Sequence, residues 1–467
     1  MRKIKICGIV IIGGLLSLTY SCLGGGTETN DWELGNAQIG SFSLASDSIT
    51  GLSDVLFTID QVNGLIYNRD SMRFGTPNGH KAIATVGFDS PYGVRGIYFI
   101  EQSTGDTVQS VSDSIDFSEP VTINVIAYDG VMTKTYEAKL NIHQVNPDTM
   151  VWAKYADILP GRTFSEMKVI MFNDSCYMYT VENSVYQLYK SDMEDLVNWE
   201  RCPVSGLPGG VLWMQLTLFQ DALYVITDEG HLFYSSNGQE WTQAAVDLSL
   251  KALLGYLPAS EITGREDVLC CIAGTDDGLQ FVSIDKQMSC TLGQYIPEAF
   301  PLSGFGQLNY ETMYYPRLVI ASGRDAQNRL SDKAWATMDG LGWASLSNLE
   351  KTFSNREGAT VFFYDYCFFV MGGVDEYASA SKDIHFSIDQ GVTWFEKFYV
   401  YNSESEEYEL ESFYVMPDEF MARGYASIII DKDNYMLLFG GKARNDTNVI
   451  NEIWRGRINR LGFGKSR

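Results

Sequence analysis

Three arginines in the later two-thirds of the chain offer the clearest candidate chemistry in the sequence. Arg162, Arg356 and Arg423 each precede the first strand of a segment rich in apolar and aromatic residues. A guanidinium group can bind a carboxylate through two parallel hydrogen bonds. If the three strands line a common channel, these residues would bind an anionic sugar or another carboxylate. The alternative is a structural role, in which carboxylates and backbone carbonyls of the adjacent sheet hold each guanidinium.

Other catalytic signatures are missing from the sequence. It contains no GxSxG, GxxxxGK[ST] or GxGxxG motif, so serine-hydrolase, phosphate-loop and dinucleotide sites are not indicated. The four histidines are widely separated and lack the HxH or HxxxH spacing of a metal site; they are His80, His143, His231 and His385. We therefore expect no metal, no cofactor and no catalytic residue.

The charge balance restricts the class of partner. Lys and Arg number 34 against 59 Asp and Glu, and the formal net charge is −25. Nucleic acids and anionic bilayer surfaces both require a basic footprint on the protein. The composition therefore argues against nucleic acid as a partner.

The segments that would position the arginines contain tryptophans that repeat at a long, regular interval. Tryptophan recurs from Trp152 to Trp394 at intervals of about 40–50 residues, or twice that interval. This period, in a sequence rich in short apolar strands, is typical of propeller blades. The later part of the chain is therefore predicted to be a β-propeller.

The residues before each tryptophan support this interpretation. The segment 387–394, Ser-Ile-Asp-Gln-Gly-Val-Thr-Trp, resembles the Asp-box S-x-D-x-G-x-T-W of sialidase-like propellers, and 337–343 and 235–241 are shorter variants. In such a turn the Asp or Asn side chain accepts amide hydrogens, Gly adopts the left-handed conformation and Trp packs between sheets. The residues assigned to this structural motif are Ser387, Asp389, Gly391, Trp394, Asp339, Trp343, Asn237 and Trp241. The motif does not by itself make a sialidase, whose catalytic set cannot be assigned here.

Two further segments resemble Kelch blades. The segments that begin at Arg356 and Arg423 each run into a double glycine, at 372–373 and 440–441. Together with the Asp-box copies they predict six blades over residues 150–463. The strand around Trp152 is expected to complete the sixth blade and so close the ring.

An earlier domain is predicted over residues 36–146. Val121, Ile123 and Val125 alternate with polar residues, Asp129-Gly130 forms a turn, and alternation resumes at Tyr136. This hairpin resembles the last hairpin of Ig-like modules, which implies an Ig-like β-sandwich that serves as a spacer. The predicted fold class is thus all-β, an Ig-like sandwich followed by a six-bladed propeller.

The first residues resemble a bacterial lipoprotein signal. Residues 1–21 carry a basic start, an apolar stretch and Leu-Thr-Tyr-Ser before Cys22, the expected site of lipidation. Residues 22–35 read as a flexible tether. These features predict a lipid anchor in the outer membrane. Whether the protein faces the periplasm or the cell surface is left open.

The combination of lipobox, Ig-like module and Kelch- or sialidase-like propeller resembles a family of Bacteroidetes lipoproteins without an established activity. The export signal, a fold that commonly serves binding and the missing catalytic set predict a non-catalytic outer-membrane lipoprotein whose propeller binds a glycan or a protein partner. Two alternatives remain open at this point. One is a divergent, sialidase-like enzyme that acts on glycosides, and the other is a protein-binding scaffold subunit of an envelope complex.

Overall fold

The computed structural model describes residues 31–77, 81–109, 113–262, 264–311, 315–347, 352–402, 407–444 and 447–463. The predicted signal peptide, Cys22 and most of the tether lie outside the described residues. The chain divides into two compact units, Met1–Asn146 and Pro147–Arg467. No helix in the described part of the chain is long and apolar enough to cross a membrane. The fold is all-β, as predicted, with one short α-helix, α1 (Asp31–Leu34).

The first unit contains two sheets. A three-stranded sheet has the order β1-β4-β7, and a six-stranded sheet has the order β2-β3-β9-β8-β5-β6. A single-turn 3-10 helix, η1, follows β1. The strands are β1 (Ile39–Ala45), β2 (Phe57–Asp60), β3 (Leu65–Asn68), β4 (Lys81–Phe88), β5 (Val94–Glu101), β6 (Thr107–Val108), β7 (Ser114–Asp116), β8 (Val121–Ala127) and β9 (Thr133–Lys139), with η1 at Leu52–Asp54.

One apolar core joins the two sheets of this unit. Alternate residues of β8 are buried, and Tyr136 and Ala138 of β9 are buried opposite them. The predicted hairpin is therefore present, with Gly130 at φ 72° in its turn. Asp129 stabilises the turn because its Oδ1 accepts hydrogen bonds from the amides of Val131 and Met132.

The second unit is a succession of antiparallel sheets. In its described residues, five sheets have four strands, one has three, and β30 pairs with β31 alone. The strands up to the third sheet are β10 (Met150–Asp157), β11 (Glu166–Phe172), β12 (Ser175–Glu182), β13 (Val185–Asp192), β14 (Asp195–Cys202), β15 (Thr217–Phe219), β16 (Ala222–Ile226), β17 (Leu232–Ser235), β18 (Thr242–Gln243), β19 (Ser249–Leu257), β20 (Val268–Thr275), β21 (Gly278–Ile284) and β22 (Cys290–Tyr295). The remaining strands are β23 (Gly306–Glu311), β24 (Pro316–Ala321), β25 (Ala334–Thr337), β26 (Ala344–Ser345), β27 (Thr360–Tyr364), β28 (Cys367–Met371), β29 (Ile384–Ser387), β30 (Lys397–Asn402), β31 (Glu407–Phe413), β32 (Gly424–Ile430), β33 (Met436–Lys442) and β34 (Glu452–Ile458), with 3-10 turns η2 (Trp213–Gln215) and η3 (Asn459–Gly462).

The first strands of these sheets, together with the turn η2 beside β11, contact one another in a ring. Around the ring, β11 contacts β32 and η2, β19 contacts β15 and β23, and β27 contacts β23 and β32. The last sheet has the order β10-β34-β33-β32, so its outer strand comes from the start of the unit. Trp152 of β10 lies opposite Gly456 of β34. The predicted closure of the ring by the Trp152 strand is therefore present.

Three turns with matching sequences share one hydrogen-bond pattern. The amides of Gly391, Gly340 and Gly238 donate to the hydroxyls of Ser387, Thr337 and Ser235 at 2.8, 2.9 and 2.9 Å. All three glycines have positive φ, between 75° and 93°. Asp389, Asp339 and Asn237 each accept hydrogen bonds from amides two to four residues further on. Each turn therefore combines a side-chain acceptor for its amides with a glycine in the left-handed conformation.

The tryptophan that follows each turn is buried against the preceding sheet. Trp241 contacts Tyr179 of β12 edge-on, with the ring centroids 5.8 Å apart. Trp343 stacks on Phe281 of β21 at 5.9 Å. Trp394 shares a core cluster with Val319 of β24. Because each indole spans the space between two sheets, these residues hold neighbouring sheets in register around the ring.

The closure can be tested sterically at Gly456. A methyl group on this residue would overlap the buried indole of Trp152, whereas Gly456 has an ordinary extended backbone. We expect Gly456→Ala to lower the free energy of unfolding by about 1–3 kcal/mol, as measured by chemical denaturation. Gly274→Ala is the matched control, because its nearest neighbour is the flexible end of Lys251 at 3.4 Å. In a Trp152→Ala background the cost should largely vanish; an unchanged cost there would contradict the assignment.

The Asp389 turn predicts a pH-dependent contribution to stability. Burial raises the pKa of Asp389, but hydrogen bonds from Thr393 and Ser387 outweigh burial, and the pKa lies below its usual value. The stabilisation is therefore present at neutral pH and is lost as the pH falls through the lowered pKa. We expect Asp389→Ala to cost about 1–3 kcal/mol at pH 7 and less in acid. Asp389→Asn should cost less than Asp389→Ala, since Asn237 occupies the equivalent position; equal losses at all pH values would refute this account.

Candidate functional site

The side chain of Arg356 points into its own sheet. The residue is 2% exposed. Its Nη1 donates to the carbonyl of Gly372 at 2.7 Å, and its Nε donates to the carbonyl of Ser354 at 3.0 Å. Its aliphatic stem lies against Gly373, where a side chain would crowd it. The double glycine thus makes room for the arginine, and the arginine satisfies the carbonyl of the first glycine.

Arg423 repeats this arrangement in the last sheet. It is also 2% exposed. Its Nη1 donates to the carbonyl of Gly440 at 3.0 Å, and its Nη2 donates to Glu452 at 2.9 Å. Burial raises the pKa of Glu452, but hydrogen bonds from Arg423, Trp454 and Lys154 outweigh burial and lower this pKa to about 2. Arg423 is therefore buried and part of a half-buried ion pair that joins the start of β32 to β34.

Arg162 differs from the other two arginines. Its side chain is 42% exposed, and Nη1 lies 3.0 Å from Glu182. The guanidinium also lies 5.8 Å from the ring of Tyr189. Arg162, Arg356 and Arg423 do not line either of the two central cavities described below. The structure thus corrects their predicted position in the channel, and the donors of Arg356 and Arg423 are used mainly within their own sheets. Ligand binding by these arginines stays an untested prediction.

A cavity of about 440 Å³ occupies the centre of the ring. Residues from the first strands of all six sheets line it, and examples are Lys168, Thr217, Tyr256, Gln307, Thr360 and Ser427. The volume lies in the range of small-molecule sites. We call this space the channel cavity.

A second cavity of about 360 Å³ adjoins the channel cavity. Both are lined by Met214, Gly304, Phe305 and Tyr425. The second cavity additionally carries the charged residues Glu166, Glu357 and Lys442. Loss of hydration raises the pKa of Glu166, and Lys442 offsets part of this rise. We call this space the mouth cavity.

Trp213 forms one wall of the mouth cavity. It is 1% exposed and stacks on Tyr179, with the ring centroids 4.5 Å apart and the planes 13° apart. Its indole nitrogen is buried without a hydrogen-bond partner among the described residues. Gln215 in the same turn is held by the amide of Leu253, which donates to its Oε1 at 2.7 Å. The wall is therefore fixed by packing on one sheet and by a hydrogen bond from the next.

Sequence reasoning missed Lys168, Gln307 and the mouth residues. Lys168 has a signal in the sequence, because it interrupts the apolar first strand that Arg162 precedes. Gln307 lacks such a signal, since it follows an irregular glycine-containing segment. Reading the first strand of every blade for polar residues, instead of the residues just before each strand, would have found Lys168.

The six cysteines of the described residues are free thiols. Cys176, Cys270 and Cys271 are buried, and Cys202, Cys290 and Cys367 are partly buried. Burial raises the pKa of Cys176 and Cys270 to about 12. Thiols with so high a pKa are poor nucleophiles at neutral pH. Among the described residues, no group of three or more His, Cys, Asp or Glu side chains could hold a metal ion.

The two kinds of arginine predict different mutational outcomes. Arg423→Met removes a buried guanidinium and leaves the carbonyl of Gly440 without its donor, while Glu452 keeps Lys154 and Trp454. We expect a loss of about 1–3 kcal/mol in the free energy of unfolding. Arg162→Met removes an exposed pair and should cost about 0–1 kcal/mol. Chemical denaturation of both variants gives the comparison. A loss at Arg162 as large as that at Arg423 would contradict the structural assignment.

Each of the two units matches the model of a known protein domain. Residues 146–466 match the model of the DUF6242 β-propeller domain, and residues 35–140 match that of the DUF6242 N-terminal domain, a domain of unknown function. No curated protein matches the chain. A solved structure titled "Structure of YjhT" matches at 12% identity with a TM-score of 0.43, over 64% of this chain and 96% of that chain.

The family models cover both units described above, and the ring of sheets coincides with the domain matched as a propeller. The second unit is therefore a β-propeller, as predicted from the tryptophan period. The chain belongs to the DUF6242 family, with its N-terminal domain followed by its β-propeller domain.

Proposed function

We propose that this protein is a non-catalytic binding lipoprotein of the outer membrane, whose propeller binds a glycan at the mouth cavity. The observation that carries the proposal is the pair of adjoining cavities at the centre of the ring. Concave sites lined by aromatic residues and a few convergent polar groups are the usual form of small-molecule sites. A β-propeller also favours a binding or scaffold role over any particular chemistry.

The composition of the mouth cavity supports a sugar ligand. Phe305 and Tyr425 supply flat apolar surface, and Glu166 and Lys442 supply a hydrogen-bond acceptor and a donor. Sugars present apolar ring faces and hydroxyl edges, so they need both kinds of surface. The missing catalytic motifs favour binding over catalysis.

The same proposal includes the number and type of the propeller blades, the fold of the N-terminal domain and the lipid anchor. We take the six sheets of the propeller as six blades, the three-stranded sheet among them, with turns of the Asp-box type and double glycines of the Kelch type. The N-terminal domain is proposed to be an Ig-like spacer, and Cys22 is proposed to carry the lipid that anchors the protein.

A glycan array tests the proposal directly. We expect the full-length protein in detergent to give a reproducible hit among acidic or neutral glycans. Glu166→Ala should then weaken binding of that hit by about tenfold or more, the effect of losing a charge-assisted hydrogen bond. Glu240→Ala, which changes an exposed carboxylate outside both cavities, is the matched control.

Two results would overturn the glycan proposal. A blank array with a protein of verified fold would refute it, and capture of a single envelope protein in the same preparation would then favour the scaffold role. Equal loss of binding in the Glu166 and Glu240 variants would place the glycan elsewhere on the protein.

A further inference from the structure

We propose that Lys168 binds the carboxylate of a small hydroxylated acid inside the channel cavity. The inference rests on the proposed function, because it names the chemical class of ligand that the propeller centre takes. It assigns the anion-binding role to a lysine within the channel instead of to the three arginines.

The strand geometry places Lys168 at the cavity. On β11, Met167 and Val169 are 3% exposed and belong to the apolar core shared with the last sheet. Neighbouring side chains on a strand point to opposite faces. Lys168 therefore lies on the other face, where it lines the channel cavity beside Met214, Leu216 and Thr217.

The ammonium group of Lys168 lacks a counter-charge. Within the described part of the chain it forms no ion pair or hydrogen bond, and the residues that line the channel cavity include no aspartate or glutamate. A half-buried cation without a partner lowers stability, because it loses hydration without a compensating attraction. A carboxylate in the cavity would supply the missing partner through a charge-assisted hydrogen bond.

The electrostatic state of Lys168 fits this role. Burial removes water from the ammonium group and thereby lowers the pKa of Lys168 to about 8. The group is thus still mainly protonated at pH 7. The titratable groups around it are Tyr256 and Tyr425 in the channel cavity, and Glu166, Glu357 and Lys442 in the mouth cavity.

Gln307 indicates that the ligand also carries hydroxyl groups. It lines the same cavity, and its carboxamide oxygen is buried without a donor among the described residues. This oxygen lies against Gly255, and rotation of the side chain would turn a polar atom of the carboxamide toward a ligand hydroxyl. A hydroxylated acid therefore satisfies both the unpaired cation and the unpaired amide.

The test compares two probes that differ in charge. Isothermal titration of the full-length protein in detergent should show binding of D-glucuronate at least tenfold tighter than binding of D-glucose. Lys168→Met should abolish this preference, whereas Lys251→Met, on another first strand but outside both cavities, should keep it. If Lys168 had only a structural role, its replacement would lower the stability of the protein. Here we expect the melting temperature of Lys168→Met to stay unchanged or rise, since the variant removes an unpaired charge.

A pH series separates Lys168 from its neighbours. The affinity of the wild type for D-glucuronate should fall by about tenfold between pH 6.5 and pH 9, because Lys168 loses its proton while the ligand stays ionised. Lys168→Arg keeps its charge over this range, so its affinity should stay nearly constant.

The outcomes distinguish this inference from the proposed function. If glucuronate and glucose bind equally and Lys168→Met changes neither affinity, the Lys168 inference fails while glycan binding stands. If a glycan hit exists but neither probe binds, the ligand class assigned here is wrong. If the array and both probes show no binding, the proposed function fails together with the Lys168 inference.

Discussion

Closure of the ring is the constraint on which the rest of the second domain depends. The first strands can line a common cavity because the ring of sheets is closed. The ring closes because β10, from the start of the domain, pairs with β34 near its end. The pairing joins residues about three hundred positions apart and places Trp152 directly over Gly456. Removing this contact would free an edge of a sheet, which is a site for unwanted strand pairing.

Inside this frame, polar groups fall into two classes. Arg356 and Arg423 are buried, and their donors meet carbonyls of the double-glycine turns and, for Arg423, Glu452. Satisfied groups of this kind specify local structure. Lys168 and Gln307 border the channel cavity, and in the described part of the chain the ammonium group of Lys168 and the carboxamide oxygen of Gln307 have no polar partner. Unmet groups lower stability, so their presence at the centre of the ring is better explained by a ligand than by the fold.

Much of the architecture was predictable because it depends on local patterns. The turns at Asp389, Asp339 and Asn237 use short-range hydrogen bonds, so the same residue types at the same spacing produce the same turn three times. The hairpin at Asp129 is equally local. The candidate site was less predictable. The position of Arg356 before a strand suggested an anion site, whereas the carbonyl of Gly372 that accepts its hydrogen bond lies just after β28, sixteen residues further along the chain.

The sequence by itself determined the strand-rich class, the division into two domains of different pattern, the repeated turns and the charge that disfavours nucleic acid. These properties follow from residue type and short-range spacing. Only the tertiary structure decided which polar side chains face the channel and which are paired. In a closed ring, the neighbours of a first strand come from sheets far apart in sequence. The burial of Arg423 and the unpaired state of Lys168 are therefore properties of the assembled ring.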